Sequence, residues 1–263
     1  PYFAYEQAQR LADLLVEQPR WSNDISLGWE ALGNPARPII QSYYDRKDLD
    51  LSVRLTALSA GVRLGDARTI DHFIELSDHP DTAVRQLVAT ELKHMPKSIR
   101  GSRLLRRLLN DSEHTVRLAA YRSLAEMADP IVERRVFGQR ETFKCILDLV
   151  PSDKPTIFLS QVEVPRVVVF GPDTGFKSPL LASVWDNRLM LRADHPDQPV
   201  DVFFQKPGDS EPKIHQIAPA VANLVYLMAH RQTVEEPTPG LDLSFSQVAH
   251  TLHRLAAAGE IDG

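Results

Sequence analysis

Asp50-Leu51-Ser52-Val53-Arg54-Leu55-Thr56-Ala57 returns as Asp81-Thr82-Ala83-Val84-Arg85-Gln86-Leu87-Val88. It returns again as Glu113-His114-Thr115-Val116-Arg117-Leu118-Ala119-Ala120. The Val-Arg pairs stand 31 and then 32 residues apart. In each copy an acid lies three positions before the valine, where a helix would begin. There a carboxylate can accept from free amides and meet the positive end of the helix dipole. Apolar and small residues follow at helical spacing: Val53, Ala57 and Leu58; Val84, Val88 and Leu92; Val116, Ala120 and Leu124. That period of about 3.6 residues predicts one buried face per helix.

A second set of helices fits between these. Asp66-Ala67-Arg68-Thr69-Ile70 opens one carrying Ile70, Phe73, Ile74 and Leu76. Ser98-Ile99 opens another carrying Ile99, Leu104, Leu105, Leu108 and Leu109. Upstream, Asp24–Leu32 and Gly33–Ile39 repeat the same spacing less regularly, which predicts a degenerate fourth unit. Tyr2–Gln18 then reads as an N-terminal capping helix. The unit is helix, tight turn, helix. Such units cannot hide their apolar faces alone and must stack.

This pattern resembles the HEAT-repeat family of α-solenoids over roughly residues 20–135. The resemblance implies right-handed stacking, a concave surface and a role in binding other macromolecules. It also implies a polar ladder between neighbouring repeats, carried by Asp50, Arg54, Asp81, Arg85, Glu113 and Arg117.

Composition divides the 263 residues in two. Residues 1–136 hold 19 Lys+Arg and 19 Asp+Glu, whereas residues 137–263 hold 11 and 16 and carry the whole net charge of −5. The expected fold class is therefore α+β: a helical repeat domain over 1–136, then a mixed domain over 137–263. In the second half, strands are expected over 143–150, 156–160, 162–164, 166–170, 187–192 and 200–205, forming an antiparallel sheet or small barrel. Helices are expected over Pro219–His230 and, from a Ser244-x-x-Gln247 capping box, through Ala258. Thr233–Gly240 between them reads as a surface linker. Ser246–Ile261 has a faint similarity to the C-terminal helix of flagellar P-ring proteins, which implies a structural role in an exported assembly as an alternative.

One cysteine, Cys145, excludes a disulfide framework within the chain. No apolar run approaches the ~20 residues of a membrane span. The start at Pro1 reads as a processed or trimmed terminus, which leaves cytoplasm and periplasm both open. Gly171–Ser178 follows an apolar strand, but Phe176 separates Gly175 from Lys177 and Pro179 follows Ser178, so it reads as a hairpin loop and not a phosphate loop. His250 and His253 lack a third ligand, and no metal or cofactor is expected. Trp29 reads as core, and Trp185 as core or interdomain packing, with an exposed anchor for a partner as the alternative.

The densest chemistry is basic. Lys93, Lys97, Arg100, Arg103, Arg106 and Arg107 fall in a stretch with no acid between Glu91 and Asp111. Arg100, Arg103 and Arg107 share one helical face. Lys97, Arg100, Arg103, Arg106 and Arg107 are accordingly the candidate binding residues. Three readings compete: a solvated face balanced by acids on adjacent helices, a site for an acidic protein, and a site for nucleic acid or another polyanion. With no coherent catalytic set, the expected function is a non-enzymatic protein-interaction scaffold or adaptor.

Overall fold

The computed structural model describes residues 2–95, 98–139 and 141–261, and they fall into two compact units, Pro1–Asp129 and Pro130–Gly263. The composition shift places the division after residue 136, seven residues later. The difference is β1 (Glu133–Phe137), whose full length pairs antiparallel with β2 (Cys145–Val150) in the second unit.

Every regular element among the described residues of the first unit is helical. The three Val-Arg segments are the starts of α4 (Leu51–Arg63), α6 (Thr82–Glu91) and α8 (His114–Glu126). The intervening segments are α5 (Thr69–Leu76) and α7 (Ile99–Leu108). The degenerate unit is α2 (Ser22–Leu32) with α3 (Arg37–Tyr44), and α1 (Tyr2–Glu17) packs on both. Within the stack α2 packs on α4, α4 on α6 and α6 on α8, while α5 packs on α7. The nine apolar residues predicted on the repeat faces are all buried. Trp29 is fully buried, and its indole N–H donates to the Ala8 carbonyl at 3.0 Å, tying α1 to α2. Ile99 departs from expectation and is 79% exposed. It is the first residue of α7, and its angular position lies well off the Leu104–Leu105–Leu108 stripe.

The capping acids behave unequally. Asp81 Oδ1 accepts from the Ala83 amide at 2.9 Å, as a side chain at the N-cap should. Asp50 and Glu113 hold the same position without a side-chain cap bond. For α8 the Glu113 amide donates instead to Asp111 Oδ1 at 2.9 Å. Ser98 caps α7 through the Gly101 amide at 3.0 Å.

The second unit holds two four-stranded sheets. One has the order β1-β2-β4-β3, with β3 at Thr156–Ser160 and β4 at Arg166–Phe170. It is mixed, because β2 and β4 run parallel. The other is an antiparallel meander of β5 (Leu180–Val184), β6 (Leu189–Ala193), β7 (Val200–Phe204) and β8 (Lys213–Ile217). The strand expected at 162–164 is absent; Glu163 there has a φ of 62°. Alternate side chains of both sheets, with α9 (Val221–Ala229) and α10 (Phe245–Ala257), enclose one apolar core. Both bonds of the Ser244–Gln247 capping box are made. Gly171–Ser178 is not a hairpin loop, because β4 and the following β5 belong to different sheets. Thr174 Oγ1 donates within it to the Phe170 and Gly171 carbonyls.

Candidate functional site

Helix α7 owes its sharp two-sidedness to its sequence. Leu104, Leu105 and Leu108 are buried on one side, and Arg100, Arg103, Arg106 and Arg107 stand exposed on the other. The structure divides these arginines. Arg106 lies off the shared face and donates to Asp129 at 2.7 Å, whose side chain is only 5% exposed. Arg100 reaches Asp71 of α5 at 2.6 Å, and Arg107 reaches Asp78 just beyond α5 at 3.3 Å and the Ser77 hydroxyl. Asp71 and Asp78 are themselves largely exposed. Lys93 meets Glu126 of α8 at 3.1 Å. Arg103 is exposed between Arg100 and Arg107, with no carboxylate partner among the described residues. Lys97, the remaining candidate, lies outside the described residues. The stretch is thus a face of arginines laced to acids of the neighbouring hairpin, with one guanidinium uncompensated.

Of the six ladder candidates, Arg85 takes its two-pronged carboxylate contact from outside the set. Arg85 Nε and Nη2 bind Asp111 at 2.8 and 3.0 Å, and its Nη1 binds the His79 and Pro80 carbonyls. This rung joins one repeat to the next, and Asp111 lies two residues before the predicted Glu113. Burial alone would raise the Asp111 carboxyl, but the bonds from Arg85 and the Glu113 amide hold it below the usual carboxylate range. Arg117 turns back to the Asp111 and Ser112 carbonyls, both at 2.9 Å. Among the described residues Arg54 donates to the Tyr44 carbonyl alone, at 3.5 Å. The residue aligned with Asp111 one repeat earlier is His79, which offers Arg54 no fixed negative charge.

Two more polar links cross between hairpins, and neither was visible as a motif. Arg63 clamps Glu91 in two-pronged fashion, at 3.1 and 2.6 Å. Asp66 accepts from the Tyr44 hydroxyl at 2.7 Å, from Gln41 at 2.8 Å and from the Arg68 amide at 3.1 Å. Burial raises the Tyr44 phenol first, and its bond to Asp66 adds to the rise. Burial pushes the Asp66 carboxyl up, yet the bonds from Tyr44, Gln41 and the Arg68 amide leave it below the usual range. Tyr44→Phe therefore strips one donor from a buried carboxylate. Unfolding in urea is expected to show a loss of about 1–3 kcal/mol, with the acid limb of the stability curve shifted upward.

Among the described residues no group of three or more His, Cys, Asp or Glu could hold a metal ion. His250 and His253 are exposed on α10. Cys145 is fully buried, and burial pushes its thiol up to about 11. Trp185 is half-buried against the second unit's own core. Among the described residues no helix is long and apolar enough to cross a membrane.

Residues 70–134 match the family model for HEAT repeats. No curated protein matches the chain. The matched segment starts within α5 and runs through α8 into β1, so it contains the arginine face of α7 and the Arg85–Asp111 rung.

Proposed function

We propose that this chain, which carries a HEAT-repeat segment at residues 70–134, is a non-enzymatic interaction scaffold within a larger assembly. HEAT repeats generally mediate protein–protein interaction. Here the exposed face of α7 receives an acidic segment of a partner protein. The observation that carries this reading is Arg103. It is exposed and uncompensated between two arginines whose only described carboxylate contacts are to exposed aspartates. Exposed pairs of that kind contribute about 0–1 kcal/mol. An incoming carboxylate can therefore exchange with Asp71 or Asp78 at little cost while gaining Arg103 outright. A guanidinium fork suits such a two-pronged contact. Arg106, already committed to Asp129, is outside the face.

Nucleic acid fits less well. The helical half is neutral overall, and Asp71 and Asp78 would stand beside each phosphate.

Arg103→Glu with Arg107→Glu is expected to weaken partner capture by at least about tenfold, roughly the effect of a substantial interface residue. The melting temperature should fall only slightly, because the loss is one exposed ion pair and the Arg107 bond to the Ser77 hydroxyl, which still bonds the Ile74 carbonyl. Partners are identified by crosslinking and mass spectrometry from native cells and then measured with both proteins purified. Unchanged partners and affinities would remove α7 from the proposal. Binding that falls steeply with salt on DNA or RNA would replace the protein partner with a polyanion.

A further inference from the structure

The antiparallel meander of the second unit ends in β8, whose partner in the sheet is β7 on one side. An edge strand turns every second N–H and C=O outward, a ready template for another strand. Proteins usually blunt such edges with proline, inward charge or a covering element. Here Pro212 and Pro219 flank β8, but Ile214-His215-Gln216-Ile217 between them contains neither proline nor formal charge. Ile214 is 62% exposed.

Beside this edge lies a cleft of about 360 Å³, lined by residues 214–218, by Asn223, Tyr226 and Leu227 of α9, and by Thr238 and Pro239. That size falls within the range of formed ligand sites. Its sides are held in place. The loop bearing Thr238 and Pro239 is closed at its base by Asp242 N–H to His230 C=O at 2.9 Å and Leu241 N–H to Leu227 C=O at 2.8 Å. Gly240 lies so close that a Cβ there would sit 2.3 Å from the His230 carbonyl oxygen. Tyr226 is stacked on His230 and meets Phe137 edge-on.

We infer that this cleft and the β8 edge bind an extended peptide segment with apolar residues and flanking lysines or arginines, added as a fifth strand. Charge selects the occupant. Arg135 lies over the Tyr226 ring but is bound to Glu133, and Arg231 lies 3.9 Å from Asp242. Lys144 shares Asp242 with Arg231, which leaves Glu211, Glu235, Glu236 and Asp201 against Lys213 and one cation of that shared pair. Glu236 is 3.8 Å from the His230 ring that stacks on Tyr226, and Asp201 accepts from Gln216 at 2.8 Å. A second copy pairing through β8 would bring two such acidic loops to one edge, so charge favours a basic guest. The backbone ladder supplies affinity and the alternate side chains supply selectivity.

The test is a titration of the full ¹⁵N-labelled chain with acetyl-Lys-Val-Thr-Val-Lys-amide. Saturable shifts and slowed amide exchange are expected over Ile214–Ile217 and at Tyr226. N-methylation of alternate peptide amides is expected to weaken binding by at least about tenfold, the order of one or two lost hydrogen bonds. Glutamate in place of both lysines should weaken it comparably, and that difference should shrink in 1 M salt, where the screening length falls to about 3 Å. Ile214→Lys, at an exposed position that leaves the core intact, should also reduce affinity for the basic peptide. Shifts confined elsewhere, no saturation, or equal binding of the N-methylated peptide would overturn the inference. A dimer in sedimentation that Ile214→Lys abolishes would overturn it in favour of self-pairing.

Discussion

Replacing Asp148 with alanine is expected to destabilise the second unit by about 3 kcal/mol, the low end of the range for breaking a buried ion pair, because the two guanidinium groups left behind are partly exposed. Asp148 sits on β2, inside the mixed sheet, and its side chain is fully buried. Arg134 lies directly opposite on β1 and binds it in parallel, at 2.8 and 2.9 Å. Arg166 of β4 pairs in register with Ile146, two residues before Asp148, so it reaches the carboxylate diagonally at 3.1 Å. One carboxylate thus joins three neighbouring strands. Asp148→Ala leaves two guanidinium groups, both less than half exposed, without their shared anion. The combined change Arg134→Met, Asp148→Leu, Arg166→Met is expected to recover most of the loss, since well-packed apolar replacements of buried ion groups are often neutral. Urea unfolding followed by the indole N–H resonance of Trp185, resolved from those of Trp21 and Trp29, checks both. Equal stability of Asp148→Ala and the native chain would show that the triad holds nothing together.

The same triad shows where sequence reading stops. Leu147 and Cys145 announce the core face of β2, but an aspartate between Leu147 and Leu149 looks like an outward residue of a half-buried strand. Its burial depends on what lies on the other side of the sheet, which is a tertiary matter. The strands that escaped prediction, β1, β5 and β8, all lie at sheet edges. Glu133-Arg134-Arg135 and Lys213-Ile214-His215-Gln216 carry the polarity that edges tolerate, so they lack the apolar run that marked β4. The helical half was legible because each helix repeats a 3.6-residue apolar pattern and the pattern itself recurs every 31 or 32 residues. The arginine face of α7 was legible for the same reason. What could not be read was which acids cross to it. Asp71, Asp78 and Asp129 are brought near only by stacking, and sequence separation says nothing about that.

Breaking the Arg85–Asp111 rung is expected to uncouple neighbouring repeats. Both side chains are largely buried, at 12% and 8% exposure. Arg85→Ala leaves the Asp111 carboxylate without its two-pronged partner and also strips the donor from the His79 and Pro80 carbonyls. A loss of about 3 kcal/mol is expected. In a stacked array, stability is a sum of unit and interface terms, so a weakened interface lets one end open alone. Amide exchange should therefore accelerate over α7 and α8 more than over α2–α4, and the unfolding transition should broaden. Arg54→Ala, at the aligned position with no carboxylate partner among the described residues, should cost far less. The rung also fixes the acid response. The Asp111 carboxyl is depressed in the folded state, so its contribution is present above the unfolded-chain value of about 3.9 and vanishes as pH falls through the lower folded value. Asp111→Asn should flatten that part of the stability curve while leaving the Tyr44–Asp66 contribution in place. If Arg85→Ala and Arg54→Ala cost the same, the rung carries no coupling and the repeats are held by apolar contact alone.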